Sequence, residues 1–298
     1  MADFAGRGHG PDPGPGRGET LMQRIGLIAG GGQFPLLFAR AAAARGYQVV
    51  AAAHHGETAP QLTEAVHAIA WFHLGQLGRL IRYFKEHGVQ ETVMMGSIRK
   101  ARLFTELRPD IKAIAILARM AHTLDDGVLR AFAGAMEKEG IRVQPATFLL
   151  PELLAPLGCW TRRRPGRGET ADIRLGHGVA AAIGRLDIGQ CVVVEGGSVL
   201  AVEAIDGTDA TIRRGGSLGS GQAVVVKICK PDQDRRFDMP AVGRDTVAAM
   251  RDAGVKALAV EAGRTVVFDR QAMVALADEQ RIAIVGLDPG EEPPPCHR

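Results

Sequence analysis

The chain has 298 residues, enough for two α/β-sized domains, and 46% of them are hydrophobic, enough to fill sizeable cores. Aromatic residues supply only 5%, so those cores must be built from Ala, Val, Leu and Ile, the usual filling of α/β layers. A formal charge of +3 excludes a general polyanion-binding surface, and with it a nucleic-acid partner, while leaving room for local basic patches that face phosphate.

The first twenty residues hold six glycines and three prolines with almost nothing to bury, so residues 1–21 are expected to be a disordered tail. Arg24–Ala29 reads as a short apolar strand. Gly30, Gly31, Gly32, Gln33, Phe34 and Pro35 follow as a turn, and Leu36–Arg45 as a helix ended by Gly46. Strand, glycine turn and helix form the opening unit of nucleotide-binding α/β domains. Glycines let a backbone approach phosphate, and a helix N-terminus offers free N–H groups. The turn lacks the third glycine of the dinucleotide fingerprint, and Pro35 starts the helix instead. It reads equally as a phosphate site and as a tight connection.

Tyr47–Ala53 is a second strand, ending in His54, His55 and Gly56, which read as loop residues. Ile69–Phe72 is a third, leading through Gly75 into a helix over Gln76–His87. Glu91–Gly96 is another strand, left by Ser97, Ile98, Arg99 and Lys100. Ligands gather beyond the carboxyl ends of parallel strands, so Gly30–Pro35, His54–Gly56 and Gly96–Lys100 should share one rim. Ile111–His122 is apolar around much of its circumference, which suits either core or an acyl-lined groove using Ile114, Ile116, Leu117 and Met120. Asp125 and Asp126 open the next helix, which runs to Gly140. Capping explains one of them, and two adjacent carboxylates ask for a lysine or a metal nearby. The prolines and arginines of residues 153–168 read as a linker between a first domain over 22–152 and a second over 169–290, with 291–298 frayed.

The second half begins with a helix over Ala171–Arg185. The strand Cys191–Glu195 then turns at Gly196 and Gly197 into Val199–Ala204, forming a hairpin. Asp206–Ala210 leads to a helix or loop bearing Arg213 and Arg214, and Gly215–Gly221 reads as a flexible, variable connection. Ala223–Val226 is a strand feeding a charged stretch, Lys227–Gly243. A helix over Gly243–Gly254 follows, with Val247, Ala248 and Met250 on one side. Ala257–Glu261, Val266–Asp269, a helix to Gln280 and Ile282–Leu287 complete the chain. The expected fold class is α/β: two α/β domains, the first Rossmann-like with a parallel sheet, and a substrate cleft between them.

Pro231 and Pro240 bracket the charged stretch, which packs in Lys227, Lys230, Arg235, Arg236, Asp232, Asp234 and Asp238. It reads either as a solvated loop whose charges satisfy one another or as a site held by a rigid scaffold. Phe237 and Met239 flank Asp238, and a partly buried carboxylate requires a cation or a metal. The four cysteines, Cys159, Cys191, Cys229 and Cys296, have neither metal-ligand spacing nor a paired framework, which fits a reducing compartment. No apolar run approaches bilayer-spanning length and no secretory signal is evident, so a cytoplasmic protein is expected.

Five motifs stand in order: Ala29–Pro35, Leu124–Asp126, Gly184–Gln190, Val202–Ala210 and Lys227–Gly243. Together they resemble the UDP-2,3-diacylglucosamine pyrophosphatases of lipid A biosynthesis, of the α-proteobacterial type, over about residues 22–290. The departures are the N-terminal tail, a shortened Gly215–Gly221 connection, and Leu124 where glycine is expected. The resemblance implies a two-domain enzyme with the substrate between its domains. It implies Mg²⁺-dependent hydrolysis, with Mn²⁺ as an alternative metal, giving UMP and 2,3-diacylglucosamine 1-phosphate (lipid X) as water attacks the phosphorus nearer the sugar. It implies catalytic roles for Asp238, Asp125, Asp126 and Lys227, with the three aspartates as metal ligands. Gly31, Gly32, Gln33, Phe34, Pro35, Gly96, Ser97, Arg99, Gln190, Thr208 and Asp209 would contact the substrate. Peripheral contact with the inner membrane surface and a homodimer are both compatible with it. The chemistry agrees in kind, because diphosphate hydrolysis needs a metal, cationic stabilisers and a positioned water, and hard oxygen ligands suit Mg²⁺. Two other classes compete: an NAD(P)-dependent oxidoreductase built on the first domain, and a non-catalytic carrier of a UDP-sugar or lipid.

Overall fold

The computed structural model describes residues 23–98, 108–117, 125–231, 233–237 and 239–290, excluding the side chains of residues 115–117, 125, 126 and 128. The first sheet comprises β1 (Arg24–Ala29), β2 (Gln48–His54), β3 (Ala68–Phe72), β4 (Glu91–Met95) and β5 (Arg142–Gln144). Its order is β3-β2-β1-β4-β5, with every pairing parallel. β1 and β2 are continuously apolar because helices cover both faces. On one face α1 (Phe34–Ala44) sets Phe38, Ala39 and Ala42 against Ile25, Leu27, Val49 and Ala51. On the other, α2 (Leu77–Glu86) buries Leu77, Leu80, Ile81 and Phe84, a helical spacing of apolar positions. α3 (Ile111–Leu117) and α4 (Asp125–Lys138) complete that layer, with Ala113, Ala133 and Met136 inside. The chain winds outward from β1 through β3, then returns to place β4 on the other side of β1. The carboxyl ends of β1 and β4 therefore flank the switch point, where doubly wound sheets open a crevice.

The second sheet has the order β6-β13-β11-β9-β7-β8. Its strands are β6 (Gly158–Cys159), β7 (Cys191–Glu195), β8 (Ser198–Val202), β9 (Val224–Lys227), β11 (Ala257–Glu261) and β13 (Ala283–Leu287). β9, β11 and β13 pair in parallel, while the pairings of β7 with β9, of β7 with β8 and of β13 with the edge strand β6 are antiparallel. A short parallel pair, β10 (Ala241–Val242) and β12 (Val266–Val267), sits beside them. One face is covered by α5 (Arg167–Arg185), with Ile173 and Ala180 against Val192, Val194, Val224 and Val226. The other is covered by α6 (Thr208–Leu218), α7 (Arg244–Asp252) and α8 (Arg270–Glu279). The α/β class and the parallel first sheet agree with the sequence reading. Among the described residues no helix is long and apolar enough to cross a membrane.

Four expectations change. Gly215 and Gly216 belong to α6 rather than to a flexible connection. A Cβ at Gly215 would meet the Val193 side chain at 2.5 Å, and one at Gly216 would overlap the Ala253 backbone. These glycines serve close packing of α6 on β7 and on the end of α7, and composition alone misreads them as loop. On α7, Val247, Ala249 and Met250 are buried, with Ala249 taking the place expected of Ala248. Residues 153–168 are not a slack tether: Gly158 and Cys159 pair with β13, the Thr161 hydroxyl accepts from Ile284 N at 3.0 Å, and Arg163 binds Glu169 at 2.5 Å. Finally, Ile114 is not core, being 52% exposed, and Ile111 is 86% exposed. The side chains of Ile116 and Leu117, and Met120, lie outside the described residues.

Candidate functional site

At the switch point the two glycine-bearing loops hold each other. Gly30 N donates to Met95 O at 2.7 Å, Gly31 N to Ser97 O at 2.8 Å, and Ser97 N to Gly31 O at 3.2 Å, a one-residue antiparallel bridge. A Cβ on Gly30 would meet Ser97 O at 2.7 Å, so the glycine permits the approach of one backbone to another. The amides of Gly30 and Gly31 are therefore engaged by protein. What faces outward is Gly32, at φ 90° with nothing within 4 Å of an added Cβ, and Gln33, which caps α1 without a side-chain bond. The structure thus gathers Gly31, Gly32, Gln33, Phe34, Pro35, Gly96 and Ser97, while Arg99 lies outside the described residues. Pro35 is buried, and the Phe34 ring meets Phe268 edge-on at 5.3 Å, tying α1 to the second sheet's side of the molecule.

His54, expected as a plain loop residue, ends β2 and is half-buried at the same rim. Its Nδ1 lies 3.0 Å from Ala29 O, which can only accept, so the proton sits on Nδ1. The Thr58 hydroxyl donates to the same carbonyl at 2.6 Å. Burial is the largest influence on this imidazole and holds its pKa below the usual 6.5, against the raising effects of the Ala29 carbonyl and Glu57. The unfolded chain therefore binds more protons below pH 6.5, so His54's contribution is complete above that value and lost as pH falls toward the folded pKa. The melting temperature should drop on acidification, and His54→Asn should flatten that part of the profile. Parallel profiles for the two proteins would show that His54 does not titrate with folding.

A second group forms at the rim of the other sheet, where the β7 start faces the β9 end (Cys191 opposite Lys227). Glu203, only 7% exposed, accepts from the Thr208 hydroxyl at 2.6 Å and from Gln190 N at 3.0 Å. It thereby ties the entry of β7 to the first turn of α6, which also carries Asp209. Lys227 is equally buried, with Nζ donating to Ala241 O at 2.9 Å. Beneath them, burial and then the Glu203 charge push the Cys191 thiol up to about 12, with Lys227 opposing, so the cysteine is an inert floor. The Gln190 Oε1 is buried without a partner. Gln190, Thr208, Asp209 and Lys227 are thus brought together, and around a residue the sequence reading had not singled out. The available signal was a glutamate closing the apolar strand run Val199–Val202.

The charged stretch is anchored at both ends. Near its start, Glu261 at the end of β11 accepts from Cys229 N at 3.0 Å and stands 3.4 Å from His177 Nε2. Lys230 reaches Asp187 at 2.6 Å. Farther on, Arg236 binds Asp234 at 2.8 Å and, across to α4, Glu137 at 2.8 Å, while Arg130 of α4 stands 3.8 Å from Asp234. The Arg236 hydrogen bond, more than any other influence, keeps the Asp234 carboxyl below the usual range. Phe237 packs on the first sheet's core, and the Thr147 hydroxyl lies 3.9 Å from Met239 Sδ. For Asp234 and Arg236 the reading of charges that satisfy one another holds, whereas Lys230 pairs with Asp187 outside the stretch. The same contacts lay the stretch along α4, the helix that begins with Asp125 and Asp126. Asp238 and the side chains of Asp125 and Asp126 lie outside the described residues. Among the described residues no three His, Cys, Asp or Glu side chains group as a metal site.

Comparison with known proteins follows the two sheets. CobK precorrin-6A reductase is 12% identical, with 93% of this chain and 91% of that chain covered, at a TM-score of 0.29. The biotin carboxylase subunit of pyruvate carboxylase is 15% identical over 58% of this chain and 35% of that one, at 0.25. Neither likeness is close enough to bear on function. The sequence relationship is of another order: UDP-2,3-diacylglucosamine pyrophosphatase LpxI of Caulobacter vibrioides is 34% identical over 283 residues, 91% of this chain and 100% of that protein. Residues 24–153 match the LpxI N-terminal domain and residues 156–285 the LpxI C-terminal domain. With both halves matched in order, the chain belongs to the LpxI family.

Proposed function

We propose that this chain hydrolyses the diphosphate of UDP-2,3-diacylglucosamine to UMP and 2,3-diacylglucosamine 1-phosphate, with Mg²⁺ or alternatively Mn²⁺ bound. The observation that carries the proposal is the end-to-end identity with the Caulobacter pyrophosphatase, which spans both sheets. The geometry supports it. The charged loop and α4, the helix that begins with Asp125 and Asp126, are in contact through Arg236–Glu137 and Arg130–Asp234. The carboxylates of Asp238, Asp125 and Asp126 are hard oxygen donors of the kind Mg²⁺ takes, one or two at a time with water completing its shell. Asp234 is already held by Arg236 and is not a candidate ligand.

A bound divalent cation would neutralise phosphate charge and acidify a bound water. The chain's own part is positioning: Gly31–Pro35 with Gly96–Arg99 for the UMP portion, and Gln190, Thr208 and Asp209 on the rim of the second sheet, with Gln190 Oε1 left to accept from substrate. Lys227 supplies the fixed cation that would stabilise charge on the transferring phosphoryl group. The oxidoreductase reading loses ground, since the Gly30 and Gly31 amides that a dinucleotide would need are engaged by Met95 and Ser97.

The test is to incubate purified protein with UDP-diacylglucosamine and Mg²⁺ and follow UMP. Release is expected, with loss of at least a hundredfold on chelation and recovery on adding Mg²⁺ or Mn²⁺. Binding without UMP would establish the carrier reading instead, and release indifferent to chelator would remove the metal.

A further inference from the structure

We propose that the groove between α2 and α3 docks the protein on an anionic phospholipid surface. The groove encloses about 410 Å³ and is lined by Arg79, Arg82, Lys85 and Lys112, with Ile81 and Ile111 among its apolar walls. Two carboxylates also line it, and both are engaged by the protein. Asp110 Oδ2 accepts from Gly78 N at 2.5 Å and Arg79 N at 3.3 Å, and its Oδ1 from Ala113 N at 3.0 Å, so it caps α2 and steadies α3. Glu139 is bridged by Lys112 and Lys85, whose hydrogen bonds hold its carboxyl down to about 2. Four cations thus face two anions. Arg79 and Arg82 are exposed, one turn apart on α2, and neither guanidinium is in an ion pair among the described residues.

Beside this basic wall stand the two isoleucines that the core reading failed to place. Ile111 is 86% exposed and Ile114, one turn farther along α3, is 52% exposed. A single exposed apolar side chain is ordinary. Two on one helix beside a cationic groove form the arrangement that suits a bilayer interface, with apolar side chains at the acyl boundary and cations among anionic headgroups. The choice of a lipid surface rests on the proposed function, because a diacylated substrate resides in a bilayer and no described helix enters one. α3 also leads along the chain to α4 and its Asp125–Asp126 start, so the docked face adjoins the element assigned to the reaction.

The experiment is co-sedimentation of the full chain with vesicles of phosphatidylcholine alone or mixed with phosphatidylglycerol. Binding to the mixed vesicles is expected, weakening with salt, and little binding to the neutral ones. The double variant Arg79→Glu, Arg82→Glu should lower partition by on the order of thirtyfold, and Ile111→Ser with Ile114→Ser by on the order of tenfold. Thermal melts confirm that each variant is folded. Failure of the native chain to sediment, equal binding to both vesicle types, or undiminished binding of the arginine variant would overturn the proposal. UMP release from a water-soluble short-chain analogue, measured in parallel, should be the same for the native chain and the arginine variant. Loss of that release in both, with charge-dependent vesicle binding intact, would sink the substrate reading and leave the docking surface standing.

Discussion

Asp238→Ala is expected to lower kcat by on the order of a hundredfold to ten-thousandfold while leaving the protein folded and still able to bind substrate. The residues on either side of Asp238 are the argument. Phe237 is packed on the first sheet's core and Met239 lies against Thr147, so the chain is pinned to the first sheet's side immediately before and after this carboxylate. Of the preceding charges, Asp234 is held by Arg236 and Arg130, and Lys230 by Asp187. Removing a metal ligand or a water-orienting base affects the transition state far more than the ground state, so KM should change much less than kcat. Turnover and substrate affinity, measured beside a thermal melt, decide the matter. A folded variant with near-normal turnover would make the stretch a structural strap between the sheets and nothing more.

Much of the fold was legible because apolar runs in this chain are bounded by glycines at positive φ. Gly46, Gly56, Gly75, Gly88 and Gly96 each follow or precede an element and mark its end. The hairpin at Gly196 and Gly197 was readable for the same reason. What the sequence hid is glycine used for proximity. Gly215 and Gly216 look like loop, yet are helical because Val193 and Ala253 leave no room for a side chain. Gly30 and Gly31 look like a phosphate cradle, yet their amides serve Met95 and Ser97. Nothing local in the sequence separates these uses, since the deciding neighbour is more than twenty residues away in each case. Glu203 was hidden differently. Its carboxylate acts by joining Gln190 and Thr208, and only the antiparallel return of β8 along β7 brings those together.

Gly96→Ala is the change expected to damage the first rim most. Gly96 sits at φ 87°, and a Cβ there would overlap the Gly31 carbonyl oxygen and meet the Gly30 carbonyl carbon at 2.8 Å. Backbone strain of about 1–3 kcal/mol adds to overpacking of about 1–3 kcal/mol, giving a loss of about 2–6 kcal/mol. Gly32→Ala is the fitting comparison. It has nearly the same dihedral, φ 90°, but open space around the added carbon, so it should cost only the strain, about 1–3 kcal/mol. Denaturant unfolding of the two variants therefore isolates the contact between the loops from the conformation of a glycine. The same contact sets the spacing of the two segments assigned to the UMP portion, so Gly96→Ala should also weaken UMP binding under conditions where it remains folded. Equal stability of the two variants would mean that the loops can separate at little cost, and the Gly31–Ser97 bridge would then not be what positions this rim.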